Sequence, residues 1–85
     1  MKKILSAGTE DALPSAVATT EQVGNLVQRV RKEQQMTQFD LASLAGCGNR
    51  FLVELEKGKQ TVQMQKVLDV LALLGLEVVI RKKGS

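Results

Sequence analysis

The 85-residue chain has no His, no Trp and no Tyr, a single Cys and two Phe. Without His, Cys47 has no companions for a structural zinc site, and no Cys–His or Ser–His nucleophilic pair can form. A lone Cys closes no intrachain disulfide, so nothing calls for an oxidising compartment. Phe39 and Phe51 are too few for an aromatic base-stacking platform and scarce for a large β-sandwich. Long apolar runs are missing too. The longest stretch, Val67 to Ile80, is interrupted by Asp69 and Glu77 and falls short of the ~20 residues a membrane span needs. The opening Met1-Lys2-Lys3-Ile4-Leu5-Ser6-Ala7 imitates a signal peptide, but Gly8-Thr9-Glu10-Asp11 stops it short of the ~7–15 apolar residues required. These absences predict a cytoplasmic binding protein with no metal, no cofactor and no membrane partner.

The remaining composition, 44% apolar and 25% charged, is that of a folded domain. The length supports one domain, which buries roughly 60–65% of its unfolded surface, so a second copy completing the core is natural. The net charge of +3 is uneven. Residues 28–66 hold Arg29, Arg31, Lys32, Arg50, Lys57, Lys59 and Lys66 against Glu33, Asp40, Glu54 and Glu56. By itself this excess of bases also fits a solvated helix face.

Residues 1–18, rich in Ala, Ser, Thr and Gly, show no steady period and read as a flexible N-terminal arm, with a short strand at Lys2–Leu5 as the alternative. Val23, Leu26, Val27 and Val30 have helical spacing behind a Thr19 or Thr20 cap, and this helix should end near Gln34–Met36. Thr37-x-x-Asp40 approximates a capping box for a second helix, with Leu41, Ala42, Leu44 and Ala45 inward and Gly46 at its end. A third helix over Asn49–Lys57 turns Leu52 and Leu55 inward and closes at Gly58. A fourth, capped by Thr61, carries Val62, Met64, Val67, Leu68, Leu71 and Leu74 and stops at Gly75. Leu76-Glu77-Val78-Val79-Ile80-Arg81 is β-branched and predicts a strand, whose partner is Lys2–Leu5 or the same strand of a second chain. The expected organisation is thus an arm (1–18), a helical domain (19–75), a dimerisation strand (76–81) and a basic tail (82–85).

From Gln38 to Gly58 the spacing is that of a helix-turn-helix. Ala42 is small at the helix crossing, Gly46 sits in the turn, Cys47 fills an apolar slot, and Leu52 and Leu55 anchor the second helix. The plainer alternative is an αα-hairpin inside a helical bundle.

Through Thr37-Gln38, Leu41-Ala42, Gly46, Leu52, Leu55-Glu56 and Gly58, residues 22–76 resemble the Xre/Cro family of phage-repressor-like helix-turn-helix proteins, and within it look most like the HipB-like antitoxins. The resemblance implies a mainly α, four-to-five-helix domain with a short C-terminal strand pairing across a dimer. It further implies an operator-binding repressor, encoded beside a HipA-like toxin kinase that it also binds. In such domains the second helix of the motif enters the major groove, presenting here Gly48, Asn49, Arg50, Val53 and Glu54. Asn pairs with adenine, Arg with guanine, Val packs on a thymine methyl, and Glu accepts from cytosine while being repelled by phosphates. Gln38, with the N–H groups opening its helix, Lys57 and Lys59 are the phosphate candidates. Leu71, Leu74, Leu76, Val78, Val79 and Ile80 are the dimer candidates, and Arg31 with Glu56 matches a structural ion pair of the family.

Plainer roles stand beside these. Asn49 also reads as a helix cap, because Gly48 replaces the family's usual Ser, and Arg50 and Lys57 also read as exposed charges. Cys47, where Val is usual, reads as a packed thiol rather than a redox sensor. Phe51 departs from a small polar residue and has three candidate neighbours: the arm, the DNA backbone or a protein partner. A second functional class, a protein-neutralising module with weak DNA binding, competes with the operator reader. An enzyme fails on residue inventory, since Asp40 and Glu54 lack any proton-transfer partner.

Overall fold

The computed structural model describes residues 13–14 and 16–84. They form four helices: α1 (Thr20–Glu33), α2 (Gln38–Ala45), α3 (Asn49–Glu56) and α4 (Met64–Leu73). Most of the predicted arm, including the alternative strand at Lys2–Leu5, lies outside the described residues, as does Ser85 of the basic tail.

Local chemistry sets the first two starts. The Thr19 hydroxyl accepts from the Gln22 N–H (3.1 Å) while the Gln22 carboxamide oxygen accepts from the Thr19 N–H (3.1 Å), a complete capping box. Thr37 and Asp40 build the same box on α2, with both bonds at 3.0 Å. All four helices end in the paired hydrogen bonds of a Schellman motif, as in Met36 N–H to the Arg31 carbonyl (3.1 Å) and Gln35 N–H to the Lys32 carbonyl (2.9 Å). The left-handed residue that this turn needs is Gly46, Gly58 or Gly75 after α2, α3 and α4, but after α1 it is Gln35, at φ 61°.

The core gathers on α3, which packs against α1 and α2, while α4 packs against α2. Val27, Leu41, Leu52, Leu55 and Val70 are its most deeply buried large side chains. Two glycines let α1 lie directly on the end of α3. A Cβ at Gly24 would strike the backbone carbonyl oxygens of Leu55 and Glu56, and one at Gly58 would come within 2.8 Å of the Glu21 Cα. The Thr20 hydroxyl completes this junction by donating to the Gly58 carbonyl (2.8 Å). At the other end of α1, the Gln34 amide donates to the Leu74 carbonyl (2.9 Å), tying α1 to the end of α4.

Several sequence expectations shift. The fourth helix begins at Met64 rather than behind Thr61, because residues 60–61 form a turn that lays Val62 against the core. Met64 and Leu44, expected inside, are 68% and 66% exposed, whereas Val70 is fully buried. Leu71 and Leu74, expected both among the apolar positions of the fourth helix and as dimer contacts, are buried in the chain's own core, and Leu76 is half-buried against it. Among the described residues no strand forms: residues 76–80 run without ladder hydrogen bonds, since a strand exists only against a partner strand. Their Val78, Val79 and Ile80 side chains are exposed. No helix among the described residues is long and apolar enough to cross a membrane.

Candidate nucleic-acid interface

Helix α3 follows α2 after a three-residue turn, residues 46–48, with Gly46 and Gly48 both at positive φ (66° and 82°). Only eight residues long, α3 divides cleanly by its 3.6-residue period. Leu52, Leu55 and Glu56 point into the protein, while Asn49, Arg50 and Lys57 are exposed and Val53 and Glu54 are half-exposed beside them. The helix is capped by Gly48 without a side-chain hydrogen bond, so Asn49 is its first residue and not its cap. The outer face therefore carries one amide, one guanidinium, one aliphatic group and one carboxylate within two turns.

That carboxylate is engaged. Glu54 meets the Arg50 guanidinium at 3.5 Å, one helical turn away, and the Lys59 ammonium at 3.2 Å. Lys59 reaches it because the turn at the end of α3 hydrogen-bonds the Lys59 N–H to the Glu54 carbonyl (3.1 Å). The hydrogen-bonded Lys59, reinforced by Arg50, holds the Glu54 carboxyl below the usual carboxylate range. Three of the charged residues expected at the interface thus form one cluster, while Lys57 stands exposed at the end of the helix.

Beneath this face lies a buried ion pair. Arg31 donates through Nε to Glu56 Oε2 (2.7 Å) and through Nη2 to Oε1 (3.0 Å), with both side chains almost fully covered. Arg31 Nη1 also donates to the Met36 carbonyl (2.7 Å), bracing the turn into α2. The Gln38 amide donates to Glu56 Oε1 (3.0 Å). Gln38, expected to face phosphate, thus has one amide hydrogen turned inward. Just beyond it, the Asp40 carboxyl is held below its ordinary range by the Thr37 N–H and then by the Thr37 side chain.

Phe51 settles against the chain itself. It packs on the core, with the Lys66 ammonium of α4 5.5 Å from its ring centroid. Cys47 is buried, and its burial pushes the thiol pKa up, away from the reactive thiolate. Among the described residues no group of three or more Cys, Asp or Glu is placed to hold a metal ion. Sequence reasoning overlooked Gly24, which sets the depth at which α1 meets α3. Its only trace was a glycine inside a helical pattern. It also overlooked Phe39, 69% exposed beside Gln38 at the start of α2.

No protein-family model matches the chain. It is similar to the uncharacterized HTH-type transcriptional regulator y4mF of Sinorhizobium fredii, at 48% identity over 69 residues spanning 81% of this chain and 91% of that protein. Among solved structures, a HipB–O4 20mer complex matches with a TM-score of 0.75 at 18% identity, over 82% of this chain and 99% of that one. A HipA–HipB–O2–O3 complex matches equally, with a TM-score of 0.75, 18% identity and the same coverage, 82% and 99%. At this identity the structural likeness speaks to the fold.

Proposed function

The chain belongs to the HTH-type transcriptional regulators, DNA-binding regulators and not enzymes, and from that premise we propose a dimeric repressor that reads an inverted-repeat operator. It acts in the cytoplasm as an antitoxin, autoregulating an operon shared with a HipA-like toxin kinase that it also binds.

The two-sidedness of α3 carries this reading. Leu52 and Leu55 hold the helix in the core, which leaves Asn49, Arg50, Val53 and Glu54 facing outward from its first turns. That is the end of a recognition helix that meets base edges. Asn49 suits adenine, Arg50 guanine and Val53 a thymine methyl. Lys57, Lys59, the N–H groups that open α2 and the remaining amide hydrogen of Gln38 contact phosphates. A single eight-residue helix reads few base pairs, so specificity calls for two copies with their recognition helices about one DNA turn, ~34 Å, apart.

The C-terminal segment supplies the pairing. Val78, Val79 and Ile80 are exposed and β-branched, and residues 76–80 offer backbone groups without a ladder. Two such segments side by side form a small intermolecular sheet that satisfies those groups and covers the apolar side chains. The antitoxin role is supported by fold likeness to the protein solved as a HipA–HipB–O2–O3 complex.

Selection of bound duplexes from a random pool tests the operator reading. The expected result is an inverted repeat with half-sites about one turn apart, lost in Asn49→Ala/Arg50→Ala. Absence of enrichment, or enrichment indifferent to both residues, rejects it and favours a protein-neutralising module. Sedimentation that finds a monomer at micromolar concentration rejects the dimer. Failure to bind the product of any adjacent kinase-like gene rejects the antitoxin role.

A further inference from the structure

The carboxylate on the outer face of α3 has a second consequence, which rests on the operator-reading function. We propose that Glu54 sets specificity by exchanging ion-pair partners. In the free chain it holds Arg50 and Lys59, and at a half-site that presents a cytosine amino group it passes to that donor and releases both cations to the DNA.

The geometry builds this arrangement in. Arg50 and Glu54 are one turn apart on the same face, so their pairing follows from the helix itself. Lys59 is brought back by the hydrogen bond from its backbone N–H to the Glu54 carbonyl, which places its ammonium 3.2 Å from the carboxylate. One acid therefore serves two bases, and all three side chains are partly or largely exposed, where ion pairs exchange readily.

On arbitrary DNA Glu54 competes with the phosphates for Arg50 and Lys59, and its carboxylate, held on the same outer face, lies near the backbone and is repelled by it. That penalty suppresses non-specific binding. A C·G pair facing Glu54 changes the exchange, because the cytosine N4 amino group donates to the carboxylate in the major groove. Arg50 is then free for a neighbouring guanine and Lys59 for a phosphate. Glu54 works as a filter, and its repulsion from phosphates is the source of discrimination.

Glu54→Gln keeps the shape of the side chain and removes its charge. With the wild-type protein, random-pool selection should enrich cytosine at one position of each half-site, and in Glu54→Gln that preference should fall by about tenfold. Affinity for unrelated duplex should rise about three- to tenfold. The dependence of log K on log salt should steepen by about one to two per protomer as the freed cations displace counterions. On unrelated duplex, Lys59→Gln should lower the slope in the Glu54→Gln background by more than it does in the wild-type background, and an equal drop in both overturns the release of the lysine. An operator motif unchanged in Glu54→Gln, with no gain in non-specific affinity, overturns the exchange and leaves the operator reading standing. No motif from either protein overturns both.

Discussion

Replacing Arg31 by Met should remove about half of the domain's stability. The Glu56 carboxylate would stay buried, losing both hydrogen bonds from Arg31 and keeping, among the described residues, the one from the Gln38 amide at 3.0 Å. Its side chain is 2% exposed, so water cannot replace the lost guanidinium without opening the α1–α3 junction. Breaking a buried pair from one side costs about 3–5 kcal/mol, against a total of about 4–13 kcal/mol for a domain of this size. At about 4–8 °C per kcal/mol, the melting temperature should fall by about 12–40 °C. Arg31→Met/Glu56→Leu should recover most of that loss, since what makes the single change costly is the stranded charge. Urea titrations followed by circular dichroism, at one fixed protein concentration, measure all three proteins. The exposed Arg29–Glu33 pair (3.2 Å) is the internal control, and Glu33→Gln should change stability by about 0.5 kcal/mol or less. A loss under about 1 kcal/mol in Arg31→Met, or a double variant no better than the single one, would refute the reasoning.

Gly24→Ala should destabilise by about 1–3 kcal/mol, because its Cβ meets backbone carbonyls of α3 that cannot swing aside; thermal melting checks it. Gln35→Gly should stabilise by about 0.5–1 kcal/mol by relieving the one non-glycine residue at positive φ among those described. An unchanged or lower melting temperature would contradict that. Asp40 carries a carboxyl held below its ordinary range in the folded state, so its contribution is complete above that range and is lost as pH falls through the depressed folded value. Asp40→Asn should accordingly flatten the acid limb of the stability–pH curve, measured by urea midpoints from neutral pH downward.

Much of the architecture was legible because its causes are local. Thr19 and Thr37 start helices through bonds three residues away, and Gly46, Gly58 and Gly75 end them through their own backbone freedom. The family resemblance alone pointed to the pairing of Arg31 with Glu56, since nothing local relates residues 25 apart. Periodicity misled where a helix meets only part of a neighbour. Leu44 has the spacing of an inward residue yet stays exposed, while Val70 escaped notice and fills the core. Thr61 stands just before the apolar positions Val62 and Met64, as a cap would, but Val62 packs against the core before the helix begins at Met64.

By itself the sequence determined the helix starts behind Thr19 and Thr37, the glycine stops of α2, α3 and α4, the helix-turn-helix spacing, and the residues on the two faces of α3. These rest on contacts within four or five positions of the chain and on the 3.6-residue period. Only the tertiary structure decided that Gly24 is a contact point, that Gln38 turns one amide hydrogen inward to Glu56, and that Val70 is buried while Met64 is exposed. It also decided that Thr20 meets Gly58 and Gln34 meets Leu74, partners 38 and 40 residues apart. Such contacts depend on which surfaces meet after the chain has folded. Periodicity states that a residue faces inward, but not what waits for it there.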